Sequence, residues 1–229
     1  MTRRARIGLG AAVVALAFGI VFVRLDRPLQ RPELAVGERG AIDVSSHQGT
    51  IDWPAVARDG TRVAYIKATE GADFVYDAFA RNWEGAHLAG IEHGAYHFFT
   101  LCRPGLDQAE NFLRTVPRDS NALAPVVDLE LTGNCAARPS RDDVLHELAL
   151  FIDRVEADRK TTIMLYVLDD IEAKYFLRHA IERPLWLRSR HRPIDSAWKL
   201  WQVDFESTVT GIDGGVDFDI VRAPTAPPH

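Results

Sequence analysis

Eight β-rich runs are spread along this chain, but only the earlier ones leave room for helices between them. The runs fall at 41–45, 62–69, 92–99, 125–131, 162–167, 184–189, 197–204 and 215–221. Apolar residues at helical spacing fill the early gaps. One such stretch is 78–89, closed by Gly90, and another is 106–116, which follows Pro104-Gly105. A longer one runs from Arg141 to about Asp158 behind Pro139-Ser140, with Leu145, Leu148, Ile152 and Val155 on one face. The last covers 169–180, and the short segment 53–59 supplies the first. Strands alternating with helices build parallel β-α-β units. The final gaps, 190–196 and 205–214, are too short for a packed helix. The expected fold is an α/β barrel that begins as β/α units and closes with plain strands. An open doubly wound sheet is the alternative. No Gly-x-Gly-x-x-Gly follows the first strand, so a dinucleotide site is not supported.

A barrel of this size needs a globular composition, and the chain has one. It contains 229 residues, 47% hydrophobic and 26% charged, enough for one core and too apolar for disorder. The net charge of −5 is unevenly distributed. Residues 1–31 hold six arginines and one acid, so the remainder carries a net charge of −10. An acidic body repels a phosphate backbone, which argues against a nucleic-acid partner. Nothing in the composition calls for a cofactor, and two cysteines are too few for a cysteine zinc site.

The N-terminus reads as an export or anchor segment. Three arginines lie in residues 1–6, residues 7–23 carry no charge, and Arg24 ends the run. As a helix that run would be roughly 25 Å long, slightly short of a ~30 Å hydrocarbon core. Ala15-Leu16-Ala17 could serve as a signal-peptidase site, but the apolar run continues past it. An uncleaved anchor is the favoured reading, with a cleaved signal peptide as the alternative. Residues 24–39, with Pro28 and Pro32, form a polar linker. The catalytic barrel is expected over 40–222, with 223–229 as a tail. The barrel should lie on the extracytoplasmic side of the membrane, or be secreted if the segment is cut. In an oxidising compartment Cys102 and Cys135 suggest one disulfide, as against two unrelated thiols.

Carboxylates gather where barrel chemistry takes place. Along Ala124-Pro-Val-Val-Asp-Leu-Glu-Leu131 side chains alternate, so Asp128 and Glu130 share one face. Two acids on one face of a buried strand need partners, and at the C-terminal end of a barrel strand they mark the catalytic rim. Asp43 lies in the first strand, and Asp217 and Asp219 in the last. Closure of the barrel brings these strands together. Such a cluster suits glycoside hydrolysis, with one carboxyl raised in pKa as the acid. It also suits oxygen ligation of a divalent metal. The aromatics near strand ends are Tyr96, Phe98, Phe99, Tyr166, Trp186, Trp198 and Trp201, and Trp186 and Trp201 are the best candidates for sugar stacking. The eight histidines show no metal-ligand spacing. His93 and His97 are four apart on a strand, so no metal is expected there, and His97 reads as a packed strand residue.

The segment 41–54, Ala-Ile-Asp-Val-Ser-Ser-His-Gln-Gly-Thr-Ile-Asp-Trp-Pro, resembles the opening of glycoside hydrolase family 25, the Chalaropsis-type lysozymes or N-acetylmuramidases. The resemblance continues through Tyr65-Ile-Lys-Ala-Thr-Glu-Gly71, Gly94-Ala-Tyr-His-Phe98, Gln108-Ala-Glu-Asn-Phe112, Val126-Val-Asp-Leu-Glu130, Leu200-Trp-Gln202 and Gly215-Val-Asp217. It implies a TIM-like (β/α)5β3 barrel. It also implies a muramidase that cleaves the β-1,4 bond between N-acetylmuramic acid and N-acetylglucosamine in peptidoglycan. By the same resemblance Glu130 is the general acid/base, Asp128 its partner, and Asp43 and Asp217 flanking carboxylates. Lys67, Glu70, Tyr96, Tyr166, Trp186 and Gln202 match positions at or near the groove. His47 and Arg188 depart from the family's usual residues, and Arg188 could narrow or re-aim a subsite. The family's wall-binding repeats are absent, which leaves attachment to the N-terminal segment of what is expected to be a monomer. The rivals are a metal-dependent phosphodiester hydrolase using Asp43, Asp128 and Glu130, and a glycan-binding barrel without catalysis.

Overall fold

The computed structural model describes residues 31–194 and 198–222. Nine strands form one sheet: β1 (Arg39–Val44), β2 (Val63–Glu70), β3 (Phe74–Val75), β4 (Glu92–Phe98), β5 (Val126–Leu129), β6 (Met164–Val167), β7 (Leu185–Ser189), β8 (Trp198–Ser207) and β9 (Val216–Val221). The helices are α1 (Trp53–Arg58), α2 (Phe79–Leu88), α3 (Gly105–Thr115), α4 (Arg141–Arg159), α5 (Asp169–Tyr175) and α6 (Leu177–Ala180). Eight strands close into a barrel in the order β1, β2, β4, β5, β6, β7, β8, β9, with β9 returning to β1. Pairing is parallel from β1 through to β8, and antiparallel where β9 meets β8 and β1. Among the described residues, five strands are followed by helices and the last three are not, and the sheet closes into the expected barrel rather than the open alternative.

Side-chain alternation separates two apolar layers. Ala41, Val63, Tyr65, Tyr96, Val126, Met164, Tyr166, Trp186 and Leu200 fill the barrel interior. Their neighbours in sequence, among them Ile42, Ala64, Ala95, Val127, Leu165, Leu185 and Trp201, face outward and pack under the helices. Helix α4 shows how the outer layer forms. Ser140 caps it, its Oγ accepting from the Asp143 amide at 3.2 Å. Val144, Leu148, Phe151, Ile152 and Val155 then make the buried stripe. Leu145 is only half-buried at the edge of that stripe. Trp201, a stacking candidate by sequence, belongs to the outer layer, where its indole N–H donates to the Ser189 carbonyl at 2.9 Å. The alternation that puts Gln202 inside puts Trp201 outside.

Two elements differ from the sequence reading. The two-residue strand β3 folds back on Thr69 and Glu70 through a turn that holds Gly71 at φ +54°. The single helix expected over 169–180 is broken at Phe176, which sits in the left-handed region at φ 52°. Glu172 bridges the break: its carbonyl accepts from the Phe176 amide at 2.8 Å and its carboxylate from the Arg178 amide at 3.0 Å.

Cys102 and Cys135 are bonded, with Cα atoms 6.3 Å apart. The bridge ties the loop after β4 to the loop after β5. Among the described residues, no helix is long and apolar enough to cross a membrane. The run 7–23 lies outside the described residues.

Candidate active site

A cleft of about 430 Å³ opens at the C-terminal ends of the barrel strands. Asp43, Tyr96, Asp128, Glu130, Tyr166, Trp186, Gln202 and Asp217 all line it, as do His47 and Arg188. The barrel explains the convergence. Asp43 pairs with Asp217 across β1 and β9, and Asp128 is level with Tyr166 across β5 and β6. Strand β5 ends at Leu129, so Glu130 is the first residue beyond it and stays on the interior side. Asp128 is buried and Glu130 is half-buried.

The carboxyls form two interacting pairs. Burial, then the charge of Glu130, pushes Asp128 well above the ordinary carboxyl range. Burial also raises Glu130, while the nearby Lys67 and Arg188 charges pull it down. The two carboxyls also act on each other: contact with Glu130 raises Asp128, and contact with Asp128 lowers Glu130. Asp128 Oδ1 is buried and meets no amide, hydroxyl or imidazole donor, which leaves it for substrate.

The second pair is Asp43 and Asp219. Asp219 is completely buried, and burial with the neighbouring Asp43 and Asp217 charges raises it well above 3.8. Contact between the two raises Asp219 and lowers Asp43, while Trp186 Nε1 donates to Asp219 Oδ1 at 2.9 Å. Burial and the Asp217 charge raise Asp43 as well. Gln202 Nε2 donates to Asp43 Oδ2 at 2.7 Å, and the Tyr166 hydroxyl donates to Gln202 Oε1 at 2.6 Å. Tyr96 and Tyr166 are pushed far up by burial and the surrounding carboxylates, so both stay phenols. A chain of donors thus runs along one wall of the cleft, from Tyr166 through Gln202 to Asp43.

Two sequence candidates fall outside the cleft, and Trp186 and Arg188 line it in other roles. Lys67 and Glu70 are not among the cleft-lining residues. They pair with each other, Nζ to Oε2 at 2.9 Å, with the ammonium over the Phe98 ring at 4.7 Å. Lys67 reaches the chemistry through its field, which favours the charged forms of Asp128 and Glu130. Trp186 lines the cleft but is only 3% exposed and packs against Tyr65 and Tyr166. It forms the floor, holding Asp219, and offers little open ring face for stacking. Arg188 lines the rim and pulls Asp43 and Glu130 down.

Three motif residues have structural tasks. His97 is fully buried on the outer face, and burial lowers it to about 3. Its ring bridges Thr69 Oγ1 at 2.7 Å and Gln108 Oε1 at 3.2 Å, so it is the packed strand residue expected. Gln108 also ties the Thr100 and Arg103 carbonyls, and Asn111 holds the β3 turn through the carbonyls of Gly71 and Phe74.

Sequence reasoning missed two supporting residues. Asp219 was noted as an acid but not placed in the site, although its two-residue spacing from Asp217 already puts both on one face. Asn134 gave no signal. Its Oδ1 accepts from the Leu101 amide at 2.9 Å, and its Nδ2 donates to the carbonyls of Phe99 and Glu130 at 2.9 and 3.0 Å. Together with the adjacent disulfide it fixes the backbone that carries Glu130.

Comparison with known proteins matches residues 42–212 to the glycosyl hydrolases family 25. The chain is 34% identical over 188 residues to the uncharacterized protein YegX of Escherichia coli O157:H7, covering 78% of this chain and 68% of that protein. It is 31% identical over 196 residues to Lysozyme M1 of Streptomyces globisporus, covering 77% and 65%. Among solved structures, a family 25 glycosyl hydrolase from Bacillus anthracis superposes with a TM-score of 0.77 at 31% identity, covering 84% of this chain and 93% of that one.

Proposed function

The chain belongs to family 25 of the glycosyl hydrolases, and from that membership and the geometry of the cleft we infer that it is a peptidoglycan muramidase. It hydrolyses the β-1,4 bond between N-acetylmuramic acid and N-acetylglucosamine. The observation that carries the catalytic assignment is the placement of Asp128 and Glu130 together in the cleft at the mouth of the closed barrel.

Glu130 is the half-buried member, so it meets the leaving-group oxygen. In the proposed step a proton passes from Asp128 to Glu130 as the glycan settles, and then to the glycosidic oxygen. The C1–O bond breaks, and the sugar's own 2-acetamido oxygen bonds to C1. Asp128, now ionised, stabilises the positive oxazolinium beside it. Water then attacks C1, Glu130 takes its proton, and the acetamido oxygen leaves. Configuration is retained without a covalent bond to the protein. Asp43, held by Gln202 and Asp219, and Asp217 line the opposite wall, where sugar hydroxyls need acceptors. Tyr96 and Tyr166 supply neutral donors. Digestion of purified peptidoglycan followed by reduction tests the reading. New reducing ends on muramic acid support it, and ends on N-acetylglucosamine contradict it.

The uncharged run 7–23 supports attachment to the cytoplasmic membrane, and the location of peptidoglycan puts the barrel on its outer face. The Cys102–Cys135 bond agrees with an oxidising address. Fractionation with N-terminal sequencing decides between anchor and release. An intact N-terminus in the membrane fraction supports the anchor, and a soluble species beginning at Phe18 overturns it.

A further inference from the structure

Away from the cleft, three side chains from three different elements meet near the start of β4. They are His87 in the last turn of α2, His93 on the outward face of β4, and Asp119 in the loop between α3 and β5. One ligand-capable atom of each lies within 4.8 Å of the other two.

His93 is the informative member. It is only 4% exposed, and its Nδ1 lies 3.0 Å from the Ile91 carbonyl oxygen. A carbonyl can only accept, so Nδ1 carries a hydrogen, and in the neutral ring Nε2 presents a lone pair. That Nε2 is buried and has no hydrogen-bond partner. A buried ring nitrogen left in this state costs free energy unless something binds it. A ring that donates one N–H to a backbone carbonyl and keeps the other nitrogen bare has the arrangement of a metal-bound histidine. Trp83 packs edge-on against the ring at 4.4 Å and holds its orientation. The carboxylate is oriented too: Asp119 Oδ1 accepts from the Asn121 amide at 2.8 Å. The His87 ring meets the His93 ring at 5.7 Å and 78°.

We propose that His87, His93 and Asp119 form a divalent metal site of the zinc class, structural rather than catalytic. Two imidazoles with one carboxylate suit zinc and its transition-metal neighbours, whereas magnesium and calcium prefer all-oxygen sets. Zinc bonds of ~2.0–2.1 Å at tetrahedral angles place ligand atoms roughly 3.3 Å apart. The widest separation here therefore has to contract by about 1.5 Å. His87 is exposed at a helix end and Asp119 lies in a loop, so both can move toward the fixed His93. Water completes the shell. The ion would pin α2, β4 and the α3–β5 loop together at the N-terminal end of the barrel, the end that serves stability in this architecture. Spacing alone conceals the group, because His87 and His93 sit six residues apart on different elements and Asp119 lies far along the chain.

The test is zinc titration of the full chain, freed of metal by chelator and dialysis, followed by calorimetry and thermal melting. The expected result is one saturable zinc per chain, a raised melting temperature, and no such response to magnesium. His87→Ala, at an exposed position, should melt normally without metal. It should also weaken zinc binding by at least ~10-fold, the loss typical of even an outer-shell partner. Cobalt(II) should give a four-coordinate visible spectrum that His87→Ala removes. Absence of saturable zinc binding overturns the proposal. So does zinc binding that His87→Ala leaves unchanged, because the ion would then sit elsewhere, most simply among the cleft carboxylates.

Discussion

Residues in the cleft are held at odds with their own solvation, and that conflict has measurable signs. The Asp219 carboxyl is raised well above 3.8 by burial and by the Asp43 and Asp217 charges. A raised value means that the folded chain binds this proton more tightly than the unfolded chain. The associated stability is complete below about pH 3.8 and is lost as pH rises through the folded value. Asp219→Asn removes that loss, so melting temperature should rise at pH 7 and change far less near pH 4. An equal change at both pH values would contradict the linkage. Lys67 acts in the opposite direction. Its ammonium favours the ionised forms of Asp128 and Glu130. Lys67→Met keeps an apolar stem over Phe98 and removes the charge, so both carboxyls should rise further. The alkaline limb of the kcat/KM profile should then move to higher pH. An unmoved limb would show that Lys67 only packs. The acids of the strands were legible from alternation alone, because a period of two fixes which side chains share a face. The exposure of Trp186 was not. Strand position tells which way a ring points, but not how much the neighbouring rings cover.

Elements were read to within a few residues because their apolar patterns are long. The exceptions are short or lack a turn signal. Strand β3 has two residues, too few for any period, and exists because Asn111 and Gly71 shape the turn before it. The break between α5 and α6 falls at Phe176, where no glycine or proline announces a left-handed residue. Asn134 was invisible for a related reason. A side chain that ties three loop backbone groups follows no period. The disulfide beside it closes a loop with a sequence separation of 33. Chain entropy gives such a bridge about 3–4 kcal/mol. Reduction should therefore lower the melting temperature. It should also lower kcat, because the loop it secures carries Glu130. Reduced protein with unchanged melting and unchanged kcat would separate the bridge from both roles.

At the scale of the whole molecule, closure of the sheet makes the site. Asp43 and Asp217 lie at opposite ends of the chain and become neighbours only because β9 returns to β1. In an open sheet β1 and β9 need not meet, and Gln202 on β8 would lose its bond to Asp43. The order of helix-bearing strands followed by plain strands was enough to expect this closure, since gaps of fewer than about a dozen residues cannot hold a packed crossover helix. Strand β8 still runs parallel to β7, although only eight residues separate the two strands. On the proposed function, closure assembles an acid-catalysed glycosidase around Asp128 and Glu130. This is tested most directly by the rate of reducing-end release from peptidoglycan with Glu130→Gln, set beside its melting temperature. Gln keeps the shape and cannot deliver the proton. The expected result is a fall in kcat/KM of about 10²–10⁴-fold with the folded state preserved. A folded Glu130→Gln protein that still cleaves glycan at close to the wild-type rate would contradict the account.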